Sequence, residues 1–429
     1  MSTSTERYLH PTEEVEVVVK SKPEQKAWWQ AIGPGSIIAA AIVGPGTVTT
    51  VSVAGASYGF QVAWILVLAC VIGFYLQKPV LKWTIATRTS VLEGIRDEIN
   101  GVWAKFIFLL LWLGALAFQA GNFIGASMAM SLLAPDVSMT AWVTILSGMA
   151  LLVAWIGKYK LLENINRTII GLLVLTFCIT ALTSTPSLGQ FLSSGFAFRV
   201  PEADFWIVLA LVATIMVPNT LVALSGFTKK KYQNENHLNN TEKLKLSFID
   251  LRVNFTITAI IALSILISAG TAIFGTGIVI ESAGDMAMQL APVAGQFAGI
   301  FFALGLFTAG FSSGLFNLTV QPMLFGEAFN ASEDRTSKMN RGILVLTAII
   351  PVLLVFFFGG APVQLIITAQ AVNGLILPLL AGTIFVLINK KDRMGTFKNS
   401  KAGNILYGSI VFVVFLLAVR VFVDIFGLI

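Results

Sequence analysis

Long apolar segments separated by short polar connections recur along the whole chain. Each is long enough to cross the hydrocarbon core of a bilayer as a helix. The pattern therefore predicts an all-α polytopic membrane protein with about eleven transmembrane helices. The predicted spans are roughly 33–57, 61–86, 103–133, 139–157, 164–184, 204–228, 248–274, 293–322, 340–359, 362–389 and 404–427.

Composition supports this interpretation and describes the amino-terminal tail. The 429 residues are 56% hydrophobic and 12% charged, whereas a soluble domain has about a quarter charged residues. Residues 1–30 are polar and contain no apolar region followed by a small-residue cleavage site. They predict a cytoplasmic tail, not a cleaved signal peptide. Trp28 and Trp29 stand where interfacial anchors are expected.

The placement of basic residues predicts the orientation. Every Lys and Arg except Arg199 and Arg420 lies in the tail or in alternate connections. The positive-inside rule then puts the amino terminus in the cytoplasm and the carboxyl terminus outside. We expect a multi-pass protein of a prokaryotic inner or plasma membrane, embedded in the lipid bilayer. The basic charge follows from topology, so no nucleic-acid partner is expected.

Ionisable and thiol groups are scarce where a membrane site would need them. No Asp or Glu lies in the middle third of a predicted span, and His10 and His237 lie outside the membrane. Charged groups within a bundle usually mark ion or proton pathways. Cys70 and Cys178 lie in different spans and suggest neither a disulfide framework nor a metal cluster.

Two predicted spans are interrupted in matching places. The first contains GPGT at 44–47, and the sixth contains MVPNT at 216–220. Proline removes a helical hydrogen bond, and glycine adds backbone freedom. Interrupted spans five apart predict an inverted five-plus-five repeat with a midplane substrate site. The predicted organisation is a tail at 1–30, repeat one at 31–185, repeat two at 203–390 and an eleventh span at 403–429.

The stretch GPGSIIAAAIVGPGTVTTVSVAGASYGFQVAWILVLACVIGFYLQ resembles the opening of the Nramp divalent-metal transporters, whose first helix reads GPG…DPGN. The resemblance continues with ATIM at 213–216, AGFSS at 309–313 and Gln370, eight residues before Pro378. It implies the amino-acid/polyamine-type transporter fold and an alternating-access mechanism. It further implies a substrate held between helices one and six, and a monomer.

The sequence departs from that family where the resemblance places its chemistry. The family's metal-binding and proton-pathway side chains fall on Gly44, Thr47, Pro218, Ala223, Trp112, Gln119 and Asn122. Only Met216, a ligand suited to soft transition metals, is kept. The sequence thus indicates a divergent Nramp-related branch that lacks both the DPGN aspartate and the proton-pathway carboxylates.

Without fixed negative charge, the interruptions favour an anionic substrate. Helices that restart after Gly46 and Pro218 present unpaired N–H groups and the positive end of a helix dipole. No Lys or Arg lies nearby at mid-depth, so a small, weakly charged anion is expected, with bicarbonate first. The predicted substrate-binding residues are Gly44, Gly46, Thr47, Thr50, Ala213, Met216, Asn219, Thr220, Gln370 and Asn373.

Anion uptake against an inside-negative potential requires a driving ion, because one charge across 100 mV costs about 2.3 kcal/mol. Ala309, Ser312 and Ser313 resemble the sodium motif of symporters with this fold and form a candidate sodium site. Packing of small residues is the alternative role for this motif. Besides Na⁺ as a coupling ion, no cofactor is predicted.

Other functions remain open from the sequence. A divalent Mn or Mg transporter could use carbonyls, Thr47, Asn219 and Met216 in a carboxylate-free site. A non-transporting receptor or scaffold is a third hypothesis. Gln119, Asn122, Gln370 and Asn373 could line a cavity or join helices through hydrogen bonds. No mid-span nucleophile–base pair and no GxxxxGK phosphate loop is present, so the chain is not expected to be an enzyme.

Overall fold

The computed structural model describes residues 43–156, 171, 174–183, 188–199, 205–235, 237–332, 337–358 and 361–425. Within these ranges the chain is helical and contains no β-strand. The predictions for the amino-terminal tail, for Trp28 and Trp29, and for the start of the first span lie outside the described residues.

The helices follow each other with short connections. They are α1 (Pro45–Tyr58), α2 (Ala63–Thr87), α3 (Val91–Glu98), α4 (Gly101–Leu133), α5 (Met139–Ile156), α6 (Val174–Thr183), α7 (Leu188–Gly195), α8 (Phe205–Ile215), α9 (Pro218–Tyr232), α10 (Asn240–Ala272), α11 (Ala298–Phe329), α12 (Lys338–Phe358), α13 (Pro362–Gly374), α14 (Leu377–Ile388) and α15 (Lys401–Ile425). Short helical turns occupy 283–297 and 391–397.

Nine helical segments in the described part of the chain are long and apolar enough to span a membrane. They coincide with nine of the predicted spans. The first and fifth predicted spans lie partly outside the described residues and are represented by α1 and α6. The all-helical, polytopic prediction is confirmed.

The seventh span begins earlier than predicted. Its helix α10 starts at Asn240, where Asn239 and Glu242 form a reciprocal capping box. The first turns carry charged residues, so a hydropathy window assigns them to a loop. Asp250 consequently lies about a third of the way along α10 and is buried, with 5% of its surface exposed.

The long helices α4 and α11 form the framework against which the interrupted helices pack. Their close approach depends on small residues: a β-carbon added to Gly310 would lie 2.6 Å from the carbonyl oxygen of Asn122. Packing of this kind drives helix association in membranes. Helix α1 packs on α4, α8, α10 and α13, which places the first interruption inside the bundle.

Polar contacts of charged side chains tie the elements together at one end of the helix bundle, which is called the basic face below. Lys229 Nζ lies 2.6 Å from Glu93 Oε1 and joins α9 to α3. Glu93 also closes a capping box with Ser90. The Arg96 guanidinium donates to the carbonyl of Glu327 at 2.7 Å, which connects α3 to α11. Helix α3 therefore joins two core helices at this face.

At the opposite face, the helical turns of 283–297 cover the end of the bundle. Gln289 Nε2 donates to Ser52 Oγ at 2.9 Å, which ties this segment to α1. Both side chains are fully buried. Helix α1 is therefore held at this end, while its first turn lies at the first interruption.

Candidate functional site

The first interruption ends where α1 begins. Gly44 is the N-cap, with extended backbone (φ −98°, ψ −177°) and no capping side chain, and Pro45 occupies the first turn. The first backbone bond runs from Val48 N to Gly44 O at 3.1 Å. The N–H group of Gly46 precedes that bond and has no acceptor within the helix. A positive helix end is thus presented inside the bundle.

The second interruption separates α8 from α9. The backbone bond from Met216 N to Val212 O (3.0 Å) closes α8, and the bond from Thr220 N to Val217 O (3.0 Å) opens α9. Between them the regular helical pattern stops, because Val217 is extended and Pro218 has no N–H. The backbone carbonyl groups of residues 213–216 lie at this break between α8 and α9. Thr220 Oγ1 donates to the Val217 carbonyl at 2.7 Å and stabilises the break itself.

A hydrogen bond connects the two interruptions. The hydroxyl oxygens of Thr47 and Thr214 lie 2.8 Å apart, and both side chains are buried. Thr47 is a predicted site residue, whereas Thr214 was not identified from the sequence. Its only signal was a hydroxyl within ATIM, immediately before the break.

Gly44 lies against two polar side chains of the framework helices. A β-carbon at this position would lie 2.8 Å from Ser313 Oγ and 3.4 Å from Asn122 Oδ1. The backbone of the first interruption therefore meets α11 and α4 directly. An aspartate here, as in the DPGN motif, would require Ser313 to move.

Gly46 lies against Gln370 of α13. The amide group of Gln370 occupies the position that a β-carbon on residue 46 would take. Gln370 is fully buried. The two glycines of GPGT thus have a clear packing reason: each leaves room for a polar side chain at the interruption.

Several buried polar side chains around the interruptions have no hydrogen-bond partner in the described part of the protein. They are Thr49, Thr50, Asn122, Asn219, Gln370 and Asn373. Each is at most 2% exposed. Buried polar groups are nearly always paired with protein or water, because an unpaired one costs about 1–3 kcal/mol. These unpaired groups therefore indicate room for water or a polar ligand beside the helices that carry them.

Asn122 and Thr49 were not among the predicted substrate-binding residues. In the sequence, Asn122 appeared equally suited to joining helices, and Thr49 was expected to point away from Thr47 and Thr50. Both are nevertheless buried with unpartnered polar atoms. Periodicity along one helix could not show that α1 is enclosed on all sides.

Three predicted site residues direct their side chains to neighbouring helices. A β-carbon at Gly374 would lie 2.7 Å from Ala213 Cβ, and one at Gly73 would lie 3.2 Å from Met216 Cγ. Asn373 packs close to Gly114 of α4 (2.6 Å from Oδ1 to an added β-carbon). Ala213 and Met216 can therefore offer the interruption their carbonyls more readily than their side chains.

The candidate sodium motif is only partly assembled at the first interruption. Ser313 lies beside Gly44. Ser312 Oγ donates to the Ala309 carbonyl at 3.2 Å within its own helix. Sodium binding by these three residues stays a prediction.

Fixed charge is absent from the surroundings of both interruptions in the described ranges. No group of three or more His, Cys, Asp or Glu side chains lies within reach of one metal ion there. The buried charged residues of this part are Lys243, Asp250 and Glu327. Lys243 and Asp250 lie in the first third of α10 and Glu327 near the end of α11. The site is neutral, with donors from amides and hydroxyls and acceptors from carbonyls.

Comparison with known proteins identifies the family. Residues 35–424 match the family model described as natural resistance-associated macrophage protein-like (Nramp). The chain belongs to the Nramp family. The resemblance predicted from GPGT, ATIM and AGFSS is thereby confirmed.

The relatives agree with this assignment. The chain is 23% identical over 386 residues to the divalent metal cation transporter MntH of Caldanaerobacter subterraneus subsp. tengcongensis, covering 89% of this chain and 90% of the relative. It is 24% identical over 419 residues to MntH of Staphylococcus aureus (strain JH9), covering 92% and 91%. These Nramp relatives are membrane transporters and not enzymes.

Solved structures share the fold. A crystal structure of the Eremococcus coleocola manganese transporter, in complex with an aromatic bis-isothiourea substituted compound, superposes with a TM-score of 0.76 at 17% identity, covering 92% of this chain and 87% of that one. A nucleobase-cation-symport-1 family transporter in a closed conformation gives a TM-score of 0.57 at 15% identity, covering 92% and 93%. The interrupted helices α1 and α8–α9 thus belong to a transporter fold.

In this Nramp chain, the position expected to carry a proton-pathway carboxylate belongs to a chain of amides. Gln119 Nε2 donates to the Gly314 carbonyl at 3.0 Å. Asn317 Nδ2 donates to Gln119 Oε1 at 2.8 Å, and Gln321 Nε2 donates to Asn317 Oδ1 at 3.0 Å. Gln119 therefore joins α4 to α11 through hydrogen bonds. Of the two roles expected from the sequence, lining a cavity or joining helices, this is the second.

Proposed function

We propose that this Nramp-family protein is a secondary active transporter of a small inorganic anion, bicarbonate first, working by alternating access. The observation that carries the proposal is the neutral, donor-rich site at the first interruption. There the start of α1, which no side chain caps, lies against the buried amides of Asn122 and Gln370, whose polar atoms have no partner among the described residues. In the described residues, no carboxylate is buried beside it.

Electrostatics favours an anion at this position. The start of a helix carries roughly half a positive charge, which acts strongly where water is excluded. The N–H groups of Gly46 and Thr47 lie at this end of α1. A divalent cation would need to overcome this field without a neutralising carboxylate, and hard cations prefer charged oxygen ligands.

The mixture of donors and acceptors favours bicarbonate over a simple halide. Bicarbonate is planar, carries one charge and has one hydroxyl that must donate. Backbone N–H groups and the amides of Gln370 and Asn219 can donate to its oxygens, while carbonyls at 213–216 can accept from its hydroxyl. Phosphate is usually bound by Arg, and no Arg is buried among the described residues.

Coupling to sodium belongs to the same proposal. Moving a monoanion inward against 100 mV costs about 2.3 kcal/mol, which a sodium gradient can offset. Ser313 lies beside Gly44, so its hydroxyl and the carbonyls of the first interruption could share one ion. In this proposal, Ala309 contributes its carbonyl oxygen to the sodium ion, and Ser312 contributes its hydroxyl oxygen.

Uptake into proteoliposomes tests the proposal. Radiolabelled bicarbonate is added at alkaline pH with and without an inward sodium gradient, and protein-free liposomes correct for CO₂ permeation. We expect protein-dependent uptake that increases with the gradient. Thr50→Val and Asn219→Leu should abolish it, whereas Thr144→Val, a change at an exposed threonine of α5, should not. Equal uptake by liposomes with and without protein would overturn the proposal.

A second candidate function is transport of a divalent metal, which the names of the relatives favour. The ligands would be carbonyls at 213–216 with Thr47, Asn219 and Met216. The packing of Met216 against Gly73 opposes this use of its side chain. Calorimetry with manganese and magnesium discriminates: heat of binding that is lost in Met216→Ala would support the metal function.

A further inference from the structure

A small polar cavity lies between α2 and the start of α15, away from the candidate site. It has a volume of about 130 Å³. Lys78 and Lys82 of α2 line one side, and Asn399 and Ser400, which precede α15, line the other. Lys82 Nζ donates to Asn399 Oδ1 at 3.0 Å and so joins the two sides. We call this cavity the α2–α15 pocket.

The pocket lies at the basic face. Helix α2 leads into α3 across residues 88–90, and an ion pair between Arg393 and Glu98 joins the turns at 391–397 to α3. Ser400 is exposed at one side of the pocket, and Leu406, which also lines it, is 42% exposed on the apolar surface of α15. A ligand can therefore reach the pocket from water or from the bilayer.

The two lysines have no carboxylate partner in the part of the chain that the structure describes. Neither Lys78 nor Lys82 forms an ion pair there, and no Asp or Glu lines the pocket. The two residues lie one turn apart on the same side of α2. Both are half-buried, and their charges repel each other. Uncompensated positive charge at a partly buried position favours a bound anion.

Both lysines retain hydrogen-bond donors for such an anion. An ammonium group has three N–H donors. Lys82 uses one of them on the amide oxygen of Asn399. Lys78 Nζ lies 5.1 Å from the ring centre of Phe248, a contact that attracts the charge but supplies no acceptor oxygen. The pocket therefore offers two cations with unused donors.

The first turn of α15 adds a weaker attraction of the same sign. Ser400 and Gly403 line the pocket, and Ser400 Oγ accepts from Gly403 N at 3.1 Å. The N–H groups of Lys401 and Ala402 precede the first helical bond of α15 and have no acceptor within the helix. The positive end of this 25-residue helix thus borders the pocket and adds to the field of the two lysines.

The segment between α14 and α15 surrounds the pocket with further positive charge. It carries Lys390, Lys391, Arg393 and Lys398 against the carboxylate of Asp392. Basic segments next to a transmembrane helix attract the anionic lipids of the cytoplasmic leaflet. The segment should therefore raise the local concentration of anions near the pocket.

These features suit a phosphate group. Lysine binds phosphate as a point charge, whereas planar carboxylates are more often held by the fork of an arginine. We propose that the α2–α15 pocket binds a phosphate group at the basic face, carried by an anionic phospholipid or free in solution. The bound group bridges α2 and α15 and compensates the charges of Lys78 and Lys82. This binding does not depend on which substrate the protein transports.

Thermal unfolding tests the proposal. The whole protein in detergent is titrated with dioleoylphosphatidylglycerol, with dioleoylphosphatidylcholine or with inorganic phosphate, at constant ionic strength. The double variant Lys78→Gln, Lys82→Gln removes both ammonium groups of the pocket. The matched control is Lys245→Gln with Lys391→Gln, which lowers the net charge equally at two exposed positions outside the pocket.

We expect phosphatidylglycerol, and not phosphatidylcholine, to raise the unfolding temperature of the unaltered protein and of the control. The double variant should need on the order of tenfold more phosphatidylglycerol for the same rise. A rise with the lipid alone would support a lipid headgroup as the source of the phosphate, and a similar rise with inorganic phosphate would support a soluble source. Equal titrations for the double variant and the control, or no rise with either ligand, would refute the pocket.

A further variant separates ligand binding from loss of stability. Asn399→Asp places a carboxylate where the amide oxygen now accepts from Lys82. The resulting ion pair should maintain or raise the unfolding temperature without ligand. It should weaken the response to phosphatidylglycerol, because part of the positive charge is already compensated. An undiminished response in this variant would contradict an anion site at Lys82. None of these measurements involves transport, so failure of the proposed function is recognised separately.

Discussion

Ser313 Oγ lies 2.8 Å from the position that a β-carbon on Gly44 would occupy. The residue that resemblance predicts to be a metal-binding aspartate is therefore a glycine whose missing side chain is replaced by a serine from α11. The first interruption therefore has neither the charge that the resemblance predicts nor the space for it.

Restoring the acid separates steric from electrostatic effects. Gly44→Ala adds only the β-carbon and should lower bicarbonate uptake, because Ser313 must shift. Gly44→Asp adds a buried negative charge near the helix start and should abolish uptake. Initial rates in proteoliposomes measure both variants. Equal residual rates in the two would show that the sign of charge at this position is unimportant.

The contact between Gly46 and Gln370 predicts a compensating pair. Gly46→Ala forces the Gln370 amide out of its position and should reduce uptake strongly. Gln370→Gly should also reduce uptake, since it removes a buried donor. In the double variant the clash is relieved, so its loss should be smaller than the sum of the two single losses. Strict additivity of the losses would contradict direct coupling.

The Thr47–Thr214 hydrogen bond should contribute measurably to stability. Thr214→Val removes this hydrogen bond from the buried Thr47 hydroxyl. It should lower the free energy of unfolding by about 1–3 kcal/mol. Thr47→Val with Thr214→Val should cost less than the sum of the single changes, because neither hydroxyl remains. Unfolding in detergent measures the four proteins, with Thr144→Val as an exposed control.

The amide chain of Gln119, Asn317 and Gln321 predicts how pH dependence could be introduced. Gln119→Glu places a titratable group between the Gly314 carbonyl and Asn317, where burial disfavours its charged form. Both proteins are assayed in parallel at each pH. The ratio of the uptake rate of the variant to that of the unaltered protein should change with pH. Gln119→Met, which is similar in size and cannot titrate, should follow the pH profile of the unaltered protein.

Features visible along one segment could be predicted from the sequence, while features that depend on several helices could not. Apolar length predicted the spans, and proline with glycine predicted restarts after Gly46 and Pro218. The helices begin at Pro45 and Pro218, so α1 starts slightly earlier than predicted. The capped, charged start of α10 was missed because it is polar although helical. Thr214 was not predicted, and Asn122 was left between two roles, because their contacts are with residues 167 and 78 positions away, Thr47 and Gly44.

The side-chain directions of Ala213 and Met216 were equally invisible in the sequence. They follow from Gly374 and Gly73, glycines on other helices whose missing β-carbons admit them. A residue-by-residue comparison with a family motif identifies positions near a site, but it cannot decide between a side chain and a carbonyl as the contacting group.

One structure determination tests the central claim, that the site between the interruptions binds an anion through neutral donors. The protein would be prepared with bicarbonate and Mn²⁺ together, and diffraction data would be collected at the manganese absorption edge. We predict a planar four-atom ligand beside Gly46 and Asn219, without an anomalous peak. An anomalous manganese peak between α1 and the interruption preceding α9 would contradict the account.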